Sequence, residues 1–339
     1  MSGPNWDTYY PKHCARLYGW LPATKEFMAV TGKTVIKYFT LCDVQAIDVF
    51  MLEKEGILHR DPNGSLPSVI VCEGVRRKVP DIIRVVKPPL KEAVIPESLE
   101  DLLTFEDDAY TRTTSVDAYE RDAGKRRRLT LKKHYERLRD FFPFDVINFD
   151  PCNSILGDNI EESRLFAALR RVFVLQKTTN KFLLFMTTPV FNIPQRAHAE
   201  FKSDLNDNLA RYPALADSLR ASCKTVNYDE MDEGKRTALC VAKSVVGRAA
   251  RREGWECEHY GIYWYENIDG HRFLDSVAVC EQPHSGPRDS QYVRDLVGIV
   301  ETMPSDYPYT FSSRSAEVRA HLKSVVDFRE EQRQKRETS

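Results

Sequence analysis

The chain reads as an α/β fold built on a mostly parallel sheet. Short β-branched and aromatic runs alternate with longer stretches of helical periodicity from residue 35 to residue 254. The last two apolar runs are separated by a turn signal, not by a helix. No internal repeat or low-complexity linker interrupts the succession. Strands separated by helices are joined by right-handed crossovers, which lay them parallel. Two strands joined by a turn form an antiparallel hairpin.

The elements follow in order. Trp6, Tyr9, Tyr10, Tyr18 and Trp20 stand among basic residues, so positions 1–32 read as a packed arm. Val35–Cys42 is a buried strand, and Ile47, Met51 and Leu58 then share one helical face. The turn HRDPNGSLP leads to a second strand, Ser68–Glu73. VPDIIRVV reads as helix, EAVI as a short strand, and ESLEDLLTFEDD as an acidic stretch. Leu131, Tyr135, Leu138 and Phe142 make a helical stripe that ends just before the strand FDVINF. ESRLFAALRRVFVLQ is helix, KFLLFMTT strand, and 197–222 a polar helical stretch. GKRTALCVAKSVVGRAARREG is a helix with Leu239, Ala242, Val246 and Ala249 on one face. EHYGIYWYEN and HRFLDSVAVCEQ form the hairpin around Ile268-Asp269-Gly270. One core domain, 33–284, carries the arm before it and a helical extension, 285–339, whose end DFREEQRQKRETS is expected to fray.

Composition narrows the function classes. A net charge of −1 gives no global pull toward nucleic acid or membrane. Eight cysteines include no C-x-x-C pair, and several lie in apolar runs, which suits a reducing compartment and argues against zinc knuckles. The polar, aromatic amino terminus has no signal-peptide core, and no window is apolar enough for a membrane span, so a cytoplasmic protein is expected. The scattered histidines make no metal motif, and no G-x-S-x-G elbow is present.

In open parallel sheets, ligands lie across the carboxyl ends of the strands. Three strand ends carry suggestive groups here: Cys42-Asp43, Glu73 and Asp150-Pro151. A carboxylate ending the second strand can accept two hydroxyls of a ribose diol. The bland alternative is that Glu73 solvates a strand end.

This order of elements, with an acidic second strand end, Asp-Pro after the fourth strand and a final hairpin, resembles a class I S-adenosylmethionine-dependent methyltransferase over about residues 33–282. More narrowly, the spacing is similar to the methyltransferase-like partner proteins encoded beside three-cysteine-motif proteins in bacteria. The resemblance implies a Rossmann-like, mostly parallel seven-stranded sheet with helices on both faces and the hairpin's last strand inserted antiparallel. It implies S-adenosylmethionine over the first two strand ends, with Glu73 on its ribose. The loop Cys42, Asp43, Val44, Gln45 would hold the amino acid end, and Asp107 or Asp108 would approach the adenine. That loop has no glycine, where the family's first loop is usually Gly-rich.

In amino-methylating relatives the motif after the fourth strand is Asp/Asn-Pro-Pro-aromatic. Asp150 and Pro151 match it, whereas Cys152 and Asn153 depart from it and remove the stacking ring. Cys152 as a nucleophile after Pro151 is the lesser alternative, against a buried or turn-capping Cys. Lys125, Arg126, Arg127, Arg128, Lys132 and Lys133 crowd the helix before this strand and suit phosphate neutralisation; a solvated face paired with residues 97–108 explains them equally. Two functions remain open. One is a methyltransferase acting on nucleic acid or a nucleotide. The other is a catalytically silent binding or scaffold protein with nucleic-acid or protein partners, in a bacterial defence or mobile-element setting.

Overall fold

The computed structural model describes residues 10–41, 44–87, 93–104, 118–151, 155, 163–189, 194–266, 270–283 and 315–337. The strands among them are β1 Tyr38–Thr40, β2 Val69–Cys72, β3 Val94–Ile95, β4 Val146–Phe149, β5 Lys181–Pro189, β6 Glu256–Glu266 and β7 Arg272–Glu281. They form one seven-stranded sheet in the order β3-β2-β1-β4-β5-β7-β6. β1 to β5 are mutually parallel, and β7 runs antiparallel between β5 and β6. Every residue of β2 and β4 is buried, because helices cover both faces; such strands read as continuous apolar runs without alternation.

The helices are α1 Tyr10–Ala15, α2 Leu21–Thr31, α3 Ile47–Lys54, α4 Val79–Val86, α5 Leu99–Leu103, α6 Ala118–Phe141, α7 Arg164–Leu175, α8 Gln195–Arg211, α9 Ala214–Cys223, α10 Glu233–Cys240, α11 Arg248–Arg252 and α12 Ser315–Glu337. On one face Tyr38, Val146, Phe185 and Val277 pack with Trp20, Phe27, Phe50, Ile82 and Leu322, so α2, α3, α4 and α12 lie there. On the other, Phe39, Ile147, Leu184 and Met186 pack with Leu102, Leu138, Leu169, Leu205 and Leu239. The stripe read in α6 faces this second core: Tyr135 and Leu138 are buried, and Leu131 and Phe142 pack beside them.

Several boundaries differ from the sequence reading. β1 is shorter than Val35–Cys42, since only residues 38–40 pair with both neighbours. The stretch 197–222 is two helices, because Pro213 lacks the N–H that would continue α8. The helix read over 234–254 widens into a π turn at Val241–Gly247 between α10 and α11. The terminal run read as frayed is helical to Glu337 in α12, which packs on α1 and α3 with Val318, Leu322 and Val325 buried. Ile268 and Asp269 of the hairpin turn lie outside the described residues. No helix among the described residues is long and apolar enough to cross a membrane.

Candidate functional site

β1 and β4 are neighbours, with Tyr38 opposite Val146 and Thr40 opposite Asn148. The chain leaves β1 for α3 on one face and reaches α7 on the other face after β4. Divergence of this kind opens a crevice at the carboxyl ends of the two strands. β1 to β5 are parallel, so their carboxyl ends share one edge. In spatial order that edge carries Glu97 beyond β3, Glu73 after β2, the 41–46 turn after β1 and Asp150 after β4. Glu73 and Asp150 therefore stand at the same edge of the sheet with only β1 between their strands.

Glu73 is half-buried, and its Oε1 accepts a 2.6 Å hydrogen bond from the Val75 N–H. Its own N–H donates to the Ile95 carbonyl at 3.0 Å, locking the β2 tip to β3. A Cβ on Gly74 would stand 3.2 Å from Ser98 Cβ and 3.3 Å from its Cα, so this turn is pressed against the N-cap of α5. Across the crevice, Cys42 and Asp43 lie outside the described residues, while Gln45 closes the turn after β1.

Ala46, the N-cap of α3, takes φ 48° and ψ 39°. This left-handed backbone is the one glycine adopts without strain, so the glycine-free loop makes its turn at the expense of Cβ crowding. Ala46→Gly relieves about 1 kcal/mol of backbone strain and loses about 0.8 kcal/mol from one buried methyl. The expected net change in urea denaturation is under about 0.5 kcal/mol. Ala168→Gly, buried inside α7, combines two unfavourable terms and is expected to cost about 2 kcal/mol.

The acid nearest the end of β3 is Glu97, which the sequence reading passed over; Asp107 and Asp108 lie outside the described residues. Glu97 is only 2% exposed on its side chain and meets Arg127 at 2.6 Å, Arg76 at 3.1 Å and His134 Nδ1 at 3.1 Å. Burial lowers the His134 pKa against the pull of Glu97. Arg127 also reaches Asp101 at 3.3 Å, so this member of the basic set faces inward onto the acidic stretch. Arg126, Arg128, Lys132 and Lys133 remain on the exposed side of α6, and the Lys125 side chain is outside the described residues.

Asp150 is part-buried and ion-paired to Lys12 of α1. Pro151 is buried, and Cys152 and Asn153 lie outside the described residues. Lys12 and Arg16, four residues apart on one helical face, stand 5.7 and 5.6 Å from the Trp20 ring centroid. Trp20 stacks on Phe185 with centroids 4.8 Å apart, and its Nε1–H donates to Asp275 Oδ1 at 2.8 Å. Thr187 donates to the other Asp275 oxygen at 2.9 Å. Burial pushes the Asp275 carboxyl up to about 6; Lys12, Trp20 and Thr187 pull it down, and Asp150 pushes it further up.

Arg16 is 7% exposed, and its Nε and Nη1 have no hydrogen-bond partner among the described residues. A buried guanidinium with idle donors retains much of its desolvation cost, so an acceptor brought by a ligand would be strongly favoured. Asp48 Oδ2 closes a second polar knot on this face, accepting from Tyr38 at 2.6 Å, Thr40 at 2.7 Å and Asn148 at 3.4 Å. Burial and the Asp48 charge raise the Tyr38 pKa well above its ordinary value. Lys12, Arg16, Asp48 and Asp275 were not singled out from sequence, and Trp20 stood only as part of the packed arm; the Lys12–Arg16 spacing beside it was the available signal. No metal-holding cluster occurs among the described residues.

A family model described as PP_RS20740-like matches residues 128–243, from within α6 into the π turn after α10. No curated protein and no solved structure matches the chain. The matched span is thus a stretch similar to that family, and it contains β4, β5 and Asp150-Pro151.

Proposed function

We propose that the protein is an S-adenosylmethionine-dependent methyltransferase acting on nucleic acid or a nucleotide. The observation that carries this reading is the strand order β3-β2-β1-β4-β5-β7-β6 with β7 alone antiparallel. It supports the reading because the acid ending β2 and the Asp-Pro ending β4 then share one edge of the sheet, with only β1 between their strands. The chain's residues fit the cofactor in two respects: Glu73 is held at the β2 tip by its own turn, and Arg16 has idle buried donors suited to a carboxylate. Ala46 supplies the left-handed turn without glycine.

When bound, S-adenosylmethionine supplies an electrophilic methyl group, and the protein's part is alignment and exclusion of water. Glu73 accepts from the ribose hydroxyls, and Asp150 accepts from the acceptor's polar group once Lys12 turns aside. Arg126, Arg128, Lys132 and Lys133 offer the nucleic-acid contact.

The silent scaffold reading draws on one observation: the Lys12 ammonium already satisfies Asp150. Titration calorimetry with S-adenosylmethionine separates the readings. Binding by the wild type that weakens at least tenfold in Glu73→Ala supports the proposal. No binding by the folded wild type rejects it; binding with no transfer to DNA, RNA or nucleotides favours the scaffold.

A further inference from the structure

We propose that Cys257 and Cys280 are a reversible disulfide site whose oxidant is a small-molecule disulfide. The two residues are paired directly opposite each other in β6 and β7. Their Sγ atoms stand 2.8 Å apart, and the residues are 2% and 0% exposed. Opposed residues of an antiparallel pair have Cα atoms about 4.5–5.5 Å apart, within the range a disulfide spans. The bridge therefore forms without moving either strand. Nothing in this inference depends on the methyltransferase reading, since the pair lies at the far end of β6 from the strand tips that carry Asp150.

Both thiols are free, and burial together with the neighbouring Cys257 raises the Cys280 pKa well above its ordinary value. A thiolate forms when this end of the hairpin opens. The next rung outward pairs Glu256 with Glu281, whose carboxylate is held by Lys181 of β5, and it is the last rung of the ladder, where strand ends open first. Opening that rung admits the oxidant. One protein thiol loses its proton and attacks a sulfur of the small disulfide, and one small thiolate leaves. The second protein thiolate then displaces the other small thiolate from the mixed disulfide. One sulfur–sulfur bond breaks and one forms, so the protein loses two electrons and two protons while the oxidant becomes two thiols.

The bridge closes the loop from 257 to 280 and fastens the hairpin that holds Trp20 through Asp275. Oxidised glutathione at mildly alkaline pH, applied to the folded full chain, tests the proposal by intact mass and non-reducing peptide mapping. A second arm refolds the chain from denaturant in the same redox buffer, which removes the access barrier. The expected result is loss of two hydrogens in mass, a Cys257–Cys280 linked peptide, and a melting temperature higher by several degrees. Cys257→Ser and Cys280→Ser should each abolish the linked peptide. A chain that stays reduced in both arms, retains a glutathione adduct, or links other cysteines overturns the proposal.

Discussion

Gly19→Ala is expected to destabilise the protein by about 2–3 kcal/mol and to loosen the segment 10–31. Gly19 lies in the π turn Arg16–Trp20, and a Cβ there would sit 2.4 Å from Tyr263 Cε2 and 2.9 Å from its Cζ. The ring has little room to retreat. A Cβ on Gly261 would stand 2.7 Å from the same Cε2, and the Tyr263 hydroxyl donates to the Tyr18 carbonyl at 3.0 Å. Admitting the methyl must push back the turn that carries Trp20, and with it the Trp20–Asp275 bond. Urea denaturation of Gly19→Ala, Tyr263→Leu and the double variant measures the effect. The double variant should recover much of the loss, because Leu vacates the space; strictly additive losses would mean that the clash is not the cause.

Acidification from pH 7.5 to pH 5 is expected to remove about 2 kcal/mol of stability through His259 alone. This histidine is fully buried on β6, bonded to Ser276 at 2.8 Å, and burial with the Lys243 charge pulls its pKa from 6.5 to about 3. The unfolded chain takes up the proton as pH falls through 6.5, whereas the folded chain resists until about 3. Stability is therefore full above the first value and declines toward the second, at about 1.4 kcal/mol per pH unit. His13, buried beside Arg16 and His321, acts in the same direction. Asp275 opposes them: its folded pKa of about 6 exceeds the ordinary 3.8, so its burial cost is relieved as pH falls through that interval. His259→Gln should shrink the loss between pH 7.5 and 5 by about 2 kcal/mol in urea titrations, while Asp275→Asn should steepen it. An unchanged pH dependence in His259→Gln would show that this ring is not the group taking up the proton.

The sheet was legible where burial imposes a pattern. The all-buried runs VIVC and VINF, the α6 stripe and the hairpin stand in the chain as periodicity, and each appears near its expected bounds. EAVI reads as a strand and ends with β3 at Ile95; Asp107 and Asp108 lie outside the described residues, and the described acid just past the strand is Glu97. The partners of that acid come from the β2–α4 turn and α6, and pairing across elements leaves no local trace. Asp150-Pro151 was legible as the end of β4, but the ion pair that covers Asp150 was not. Lys12 and Asp150 are 138 positions apart, and neither residue type signals the other. The last helix was legible as a helical extension, but its buried positions Val318, Leu322 and Val325 are too few among charged residues to announce how it packs.

His13 meets His321 at 2.9 Å across 308 positions, and Tyr18 meets Glu317 across 299. During synthesis at about 5–20 residues per second, α1 waits roughly 15–60 s before the ribosome delivers these partners. Lys12 meets Asp150 after 138 positions, but the His13 side of α1 stays uncovered for the whole interval, within reach of chaperones and of neighbouring nascent chains. A holdase bound to residues 10–31 should therefore raise the yield of correctly closed molecules.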